Sequence, residues 1–139
     1  MENCAFCNIV SGIWPSYKVY EDEKYLGFLD IRPLNPGNVL LVPKKHYRWT
    51  YDVENFGEYW ELAKKVGLAI LKTQKALSIN YVTVGEEVPH AHIRIIPRYK
   101  DDGNVIVLNE YKQKLSDEKM KEVASSLFVE LSSPHRSSQ

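Results

Sequence analysis

No stretch of this 139-residue chain stays apolar for long. The longest runs, such as Val39 to Val42 and Leu68 to Leu71, fall far short of the ~20 residues a membrane helix needs. Net charge is missing too: 18 Lys and Arg balance 18 Asp and Glu, so no broad nucleic-acid or membrane-surface footprint is expected. Met1-Glu2-Asn3-Cys4 has neither the basic start nor the apolar stretch of a secretory signal, which points to the cytosol. Cysteine is scarce, at two residues, and in the cytosol such a pair is a metal or redox candidate before it is a disulfide. Internal repeats and low-complexity blocks are absent. A composition of 44% hydrophobic and 26% charged residues is that of one globular domain with a proper core, placed at 1–131 ahead of a polar tail over 132–139.

What is present is patterned. Val19-Tyr20, Tyr25 to Ile31 and Val39 to Val42 are β-formers, separated by Glu21-Asp22-Glu23-Lys24 and Pro33-Leu34-Asn35-Pro36-Gly37. They read as three strands joined by a tight turn and a loop. Phe56, Tyr59, Trp60, Ala63, Val66, Ile70 and Leu77 recur at helical spacing and predict a long helix over 53–77. Gly67 marks a weak point in it or a close backbone approach. Further strands are expected at Tyr81 to Val84 and His90 to Ile96, around a short Gly85-Glu86-Glu87 turn. Asp101-Asp102-Gly103-Asn104 reads as an exposed turn and Val105 to Leu108 as a short edge strand. Ser116 predicts the N-cap of a second helix, with Asp117 and Glu118 complementing its dipole. That helix would turn Met120, Val123, Ala124, Leu127, Val129 and Leu131 inward or into a partner. The element order predicts an α+β domain with an antiparallel sheet of about five strands, one long helix and a C-terminal helix.

The stretch richest in chemistry is Val88-Pro89-His90-Ala91-His92-Ile93-Arg94-Ile95-Ile96, closed by Pro97 as a strand stop. On extended chain, successive side chains face opposite ways. His90, His92 and Arg94 then form one row, with Ala91, Ile93 and Ile95 packed behind. Imidazoles held rigidly beside a cation suit attack on phosphorus and capture of its oxygens. The alternation alone is equally that of a half-buried strand with a polar outer face.

This pattern resembles the signature of the histidine triad (HIT) family, in which three histidines alternate with apolar residues. His90 and His92 match the first two and Arg94 stands in the place of the third. The block from Phe28 through Asp30-Ile31-Arg32-Pro33 to Gly37, then Val39 to His46, is similar to the family's other hallmark. The opening, Cys4-Ala5-Phe6-Cys7-Asn8-Ile9-Val10-Ser11-Gly12, matches the start of many bacterial members.

The resemblance implies a HIT-like fold and a role for each of these residues. His92 would be the nucleophile that attacks the α-phosphorus of a nucleotide, forming a nucleotidyl-histidine for water or another acceptor to resolve. Arg94 cannot donate a proton as a general acid, but its fork of donors can neutralise a phosphate. That favours leaving groups which are already good. Asp30 would anchor the ribose hydroxyls, and Phe6, Ile9, Trp14, Phe28 and Ile31 would wall a purine pocket, adenine above all. For those apolar residues, plain core packing is the competing reading. Glu86 and Glu87 fall where members carry phosphate-holding polar residues; they face a phosphate, orient an imidazole, pair with Arg94 or cap the turn.

Cys4-x-x-Cys7 by itself is half a tetrahedral zinc site, or a pair of free thiols. Relatives with this opening complete it with the residues matching His46 and His90, giving a structural Cys₂His₂ zinc centre. The resemblance also implies a homodimer formed through the long helix and a strand. The functional expectation is a nucleotide hydrolase or transferase acting on purine nucleotides or dinucleoside polyphosphates. A phosphorylase, a nucleotide binder that has lost catalysis, and a zinc-stabilised interaction module are the alternatives.

Overall fold

The computed structural model describes residues 3–103 and 113–133, which fall in two compact units. In the first, α1 (Ala5–Val10) precedes strands β1 (Lys18–Glu21), β2 (Tyr25–Leu29) and β3 (Val39–Pro43). A 3₁₀ turn (Thr50–Asp52), α2 (Phe56–Gln74), β4 (Ser78–Val82) and β5 (Ile93–Arg98) follow. The strands form one antiparallel sheet in the order β1-β2-β3-β5-β4. Among the described residues no helix is long and apolar enough to cross a membrane.

Strand periodicity divides the core into two layers. Val39, Leu41, Ile93 and Ile95 pack with Tyr59, Leu62, Ala63, Val66 and Ile70 of α2. Leu40 and Val42, from the same strand, face the other way with Leu26, Phe28, Cys4 and Phe6. The sheet is therefore covered by α2 on one face and by the short α1 segment on the other. Gly67 of α2 is the close approach its sequence position suggested, because a side chain there would run into the Tyr81 phenol of β4.

The turn between β1 and β2 is organised by one carboxylate. Asp22 accepts hydrogen bonds from the amides of Lys24 (2.7 Å) and Tyr25 (2.8 Å) and from the Tyr20 hydroxyl (2.6 Å). Burial opposes its charge, but these three donors outweigh that and hold the carboxyl below its ordinary range. A depressed carboxyl contributes stability that is present above its unfolded value and lost as pH falls through the folded one. Asp22→Asn is expected to cost about 1 kcal/mol at pH 7. Urea denaturation should show the gap to wild type closing as pH falls below about 4.

Several element boundaries differ from those expected. The long helix spans 56–74, not 53–77, since Val53 is extended and Lys75 turns left-handed at φ 55°. Leu77 has already left it, donating its amide to Arg98. The next strand runs over 78–82 instead of 81–84. β5 begins at Ile93, not His90, because pairing with β3 ends at Leu41–Ile93. It also continues through Pro97. Pairing with β3 ends at Ile95, so the missing N–H falls where β4 is the only neighbour. The helix α1 was not anticipated; its N-cap is Cys4, whose sulfur accepts the Cys7 amide.

The second unit contains α3 (Asp117–Ser132). Ser116 caps it as expected, its hydroxyl accepting the Lys119 amide at 3.1 Å, with Asp117 and Glu118 in the first turn. Inward packing of Met120, Val123, Ala124, Leu127, Val129 and Leu131 is not observed. All are exposed. Among the described residues of that unit α3 is the one regular element, so these side chains have no neighbour there to pack on, and the alternative, a partner, is not tested. The edge strand expected at Val105 to Leu108 and the tail beyond Ser133 lie outside the described residues.

Candidate active site and metal centre

His90 and His92 lie just before β5, where the chain keeps its alternation without being in the ladder. Ala91 points into the α2 layer and donates its amide to Tyr47 (2.7 Å), while both imidazoles lie edge-on to Phe6. The row of His90, His92 and Arg94 is therefore present, but His90 faces the cysteines while His92 and Arg94 face a cavity.

His90 turns away from the cavity and is fully buried. Its Nε2–H donates to the Pro43 carbonyl at 2.8 Å, which leaves Nδ1 carrying the lone pair. That nitrogen lies 3.3 Å from Cys4 Sγ, 3.4 Å from Cys7 Sγ and 3.2 Å from His46 Nδ1. Cys7 Sγ to His46 Nδ1 is also 3.2 Å, and all four donor atoms lie within 4.8 Å of one another. Two soft sulfurs and two imidazole nitrogens converging in this way match the donor set and spread of a tetrahedral zinc site. Burial pushes both imidazoles below their usual value, His90 to about 4, which keeps them unprotonated as ligands must be. The four residues fit zinc, and the Pro43 carbonyl supplies the outer hydrogen bond that fixes the His90 tautomer.

His92 is held differently. Its Nδ1–H donates to the carbonyl of His90 at 2.8 Å, so Nε2 carries the lone pair. Burial lowers its pKa below the ordinary histidine range, keeping the ring neutral at pH 7. The His92 carbonyl in turn accepts from the Thr83 hydroxyl at 2.8 Å, and Thr83 accepts from Thr50 at 2.5 Å. Thr83 was not singled out in the sequence; its contact crosses nine residues and needs the β4–β5 register to be known.

His92 and Arg94 open onto a cavity of about 990 Å³. Phe6, Ile9, Trp14, Phe28, Asp30 and Ile31, the residues given a nucleotide-binding role by resemblance, line it. Phe6 and Phe28 also belong to the buried layer, so pocket wall and core packing are both true of them. Ile31 is 78% exposed and stands at the rim. Arg32 and Tyr17, not anticipated, line it as well; Arg32 sits two positions beyond Asp30, a spacing that could have flagged it. Glu87 reaches the cavity, whereas Arg94 pairs with Asp30 at 3.3 Å and, among the described residues, not with a glutamate.

Comparison with known proteins agrees with this arrangement. A HIT domain matches residues 12–101. A HIT-like protein of Methanocaldococcus jannaschii is 39% identical, over 86% of this chain and 98% of its own. The adenosine 5'-monophosphoramidase of Saccharomyces cerevisiae is 33% identical over 75% of this chain and 68% of its own. The crystal structure of a HIT family member from Bacillus subtilis superposes with a TM-score of 0.80 at 34% identity, covering 95% and 99% of the two chains. A zinc-bound histidine triad protein from Mycobacterium smegmatis does so with a TM-score of 0.65 at 29% identity, over 95% and 97%. The α+β fold, the five-stranded sheet and these matches agree, and the chain belongs to the HIT family.

Proposed function

We propose that this protein hydrolyses or transfers nucleoside monophosphate groups at the α-phosphate of purine nucleotides or dinucleoside polyphosphates, adenine being the favoured base. One observation carries the reading: His92, its Nδ1–H committed to the His90 carbonyl, stands in a cavity beside Arg94. Nε2 attacks phosphorus and forms an N–P bond while the P–O bond to the leaving group breaks, the electron pair departing with the leaving oxygen. The ring gains positive charge, which the His90 carbonyl stabilises through Nδ1–H. Water then attacks the phosphorus as the N–P bond breaks, the electron pair returning to Nε2 and a proton passing from the water to solvent, which releases the monophosphate and restores neutral His92. Phe6, Ile9, Phe28 and Ile31 hold the base, Asp30 the ribose, and Arg94 the phosphate oxygens. The yeast monophosphoramidase supports adenosine monophosphate chemistry on this fold.

Incubation with ATP and diadenosine polyphosphates, followed by intact-protein mass measurement, tests it. The expected result is an added AMP mass on His92; no adduct and no turnover with any adenine nucleotide refutes it. Inorganic phosphate in the assay separates a hydrolase, whose product is AMP, from a phosphorylase, whose product is ADP.

Because a guanidinium does not serve as a general acid, leaving groups that need a proton should suffer. Turnover of a dinucleoside polyphosphate is expected to exceed that of an adenosine phosphoramidate by about tenfold or more, a barrier difference of ~1.4 kcal/mol. A preference for the phosphoramidate would contradict this.

Zinc at Cys4, Cys7, His46 and His90 is structural in this reading, and a reducing cytosol suits the thiols. We place the working domain at 1–131 and its assembly as a homodimer through α2 and the outer edge of β4. Phe56 and Tyr81 are exposed there, and Trp60 Nε1 is buried with no hydrogen-bond partner among the described residues. Sedimentation at micromolar concentration is expected to give twice the chain mass.

A further inference from the structure

Asp30 and Arg94 are 64 residues apart in sequence and form an ion pair inside the cavity. Asp30 sits just past the end of β2, where its amide donates to the Asn38 carbonyl at 2.9 Å. Its Oδ1 accepts the Arg32 amide at 2.9 Å, and its Oδ2 faces Arg94 Nη2 at 3.3 Å. Arg94 lies on β5 between Leu40 and Val82, two positions after His92 and on the same face. Among the described residues, Asp30 is the only hydrogen-bonding partner of the guanidinium. The contact is single and longer than the 2.7–2.9 Å usual of a charge-assisted bond. Both ends open on the cavity, the Arg94 side chain 31% and the Asp30 side chain 15% exposed.

We infer that this pair is a ribose-gated latch, which makes Arg94 available to phosphate when the sugar hydroxyls take its place on Asp30. The inference rests on the functional reading above. Without ligand, Asp30 neutralises Arg94. A phosphate group offers the guanidinium two oxygens in place of one and so competes for it. If Arg94 swings to phosphate and nothing replaces it, a mostly buried carboxylate is left with the Arg32 amide alone, and that costs free energy. The two ribose hydroxyls are the donors that remove this cost. Sugar and phosphate recognition are then coupled, so the cavity selects ribonucleotides by more than the hydroxyls' own contacts. A dideoxynucleotide loses those contacts and, in addition, part of the benefit of its phosphate.

The test is a binding cycle by calorimetry on the full chain, with adenosine, AMP and their 2',3'-dideoxy counterparts. In wild type, adding the phosphate is expected to raise affinity about tenfold more when the hydroxyls are present than when they are absent, within the range of ordinary site–site coupling. In Arg94→Gln, and separately in Asp30→Asn, that ratio should fall to within about twofold of unity. A merely structural defect would weaken all four ligands alike and leave the ratio at its wild-type value. Equal phosphate contributions in wild type overturn the inference, as does a ratio unchanged in both variants. The cycle needs no turnover, so the two readings fail separately. An adenylylated His92 without coupling refutes the latch alone. Coupling without adenylylation refutes the catalytic role of His92 and leaves the latch standing. AMP failing to bind at millimolar concentration refutes both.

Discussion

His92→Ala is expected to lower turnover of adenine nucleotides by about 10⁴-fold, some 5 kcal/mol of transition-state stabilisation at ~1.4 kcal/mol per decade. The loss is large because the covalent route disappears, and among the described residues no second imidazole is placed to replace it. His90 is fully buried, with Nε2 committed to Pro43 and Nδ1 turned to the cysteines. His46 belongs to the same cluster. The adenylyl adduct should vanish in the same variant, while AMP affinity changes by less than about tenfold, since Phe28, Asp30 and Arg94 remain. Steady-state kinetics with calorimetry separate these effects. A variant that keeps a tenth of wild-type turnover would remove His92 from the mechanism.

Cys4→Ser is expected to give the second largest effect, on stability. A bound ion present at a thousand times its dissociation constant stabilises the folded chain by about 4 kcal/mol. At roughly 3 °C per kcal/mol for a chain of this size, its loss lowers Tm by about 12 °C. Chelation of the wild-type protein should reproduce the shift, and elemental analysis should find one zinc per chain in wild type alone. A wild type that purifies without metal, and whose melting is indifferent to chelator, would sink the assignment. Catalysis should fall along with stability, through a short path. His90 turns its Nδ1 to the cysteines on one side and, on the other, presents the carbonyl that accepts from His92 Nδ1–H.

How far each feature was legible depends on the distance over which its cause acts. The alternation of His90, His92 and Arg94 was readable because a period of two follows from extended backbone, whether or not ladder bonds form. The start of β5 was not, since it is set by the point where β3 stops pairing, 52 residues earlier in the register of Leu41 with Ile93. Helix α2 was plain from its apolar spacing, yet its start at Asn55, which makes no side-chain cap bond, and its left-handed end at Lys75 gave no strong signal. Helix α1 escaped because six residues are too few for a periodic signal and its cap is a cysteine. The CxxC spacing announced two ligands, and only the family resemblance supplied His46 and His90. The Asp30–Arg94 pair and the Thr50–Thr83 contact exist only in three dimensions.

Phe6 has two memberships. It sits in the layer beneath Phe28 and Leu40, and it stands edge-on to His92 at 5.1 Å while lining the cavity. It belongs to α1, a single turn and a half of helix that begins at one thiol, Cys4, and contains the other, Cys7. The floor on which a base would rest is thus a guest on the sheet, and an ion held by the two thiols and two imidazoles would moor it there. Zinc supply would then tune how well this protein grips its nucleotide, and a cell starved of the metal would hold a folded sheet with an unfinished pocket.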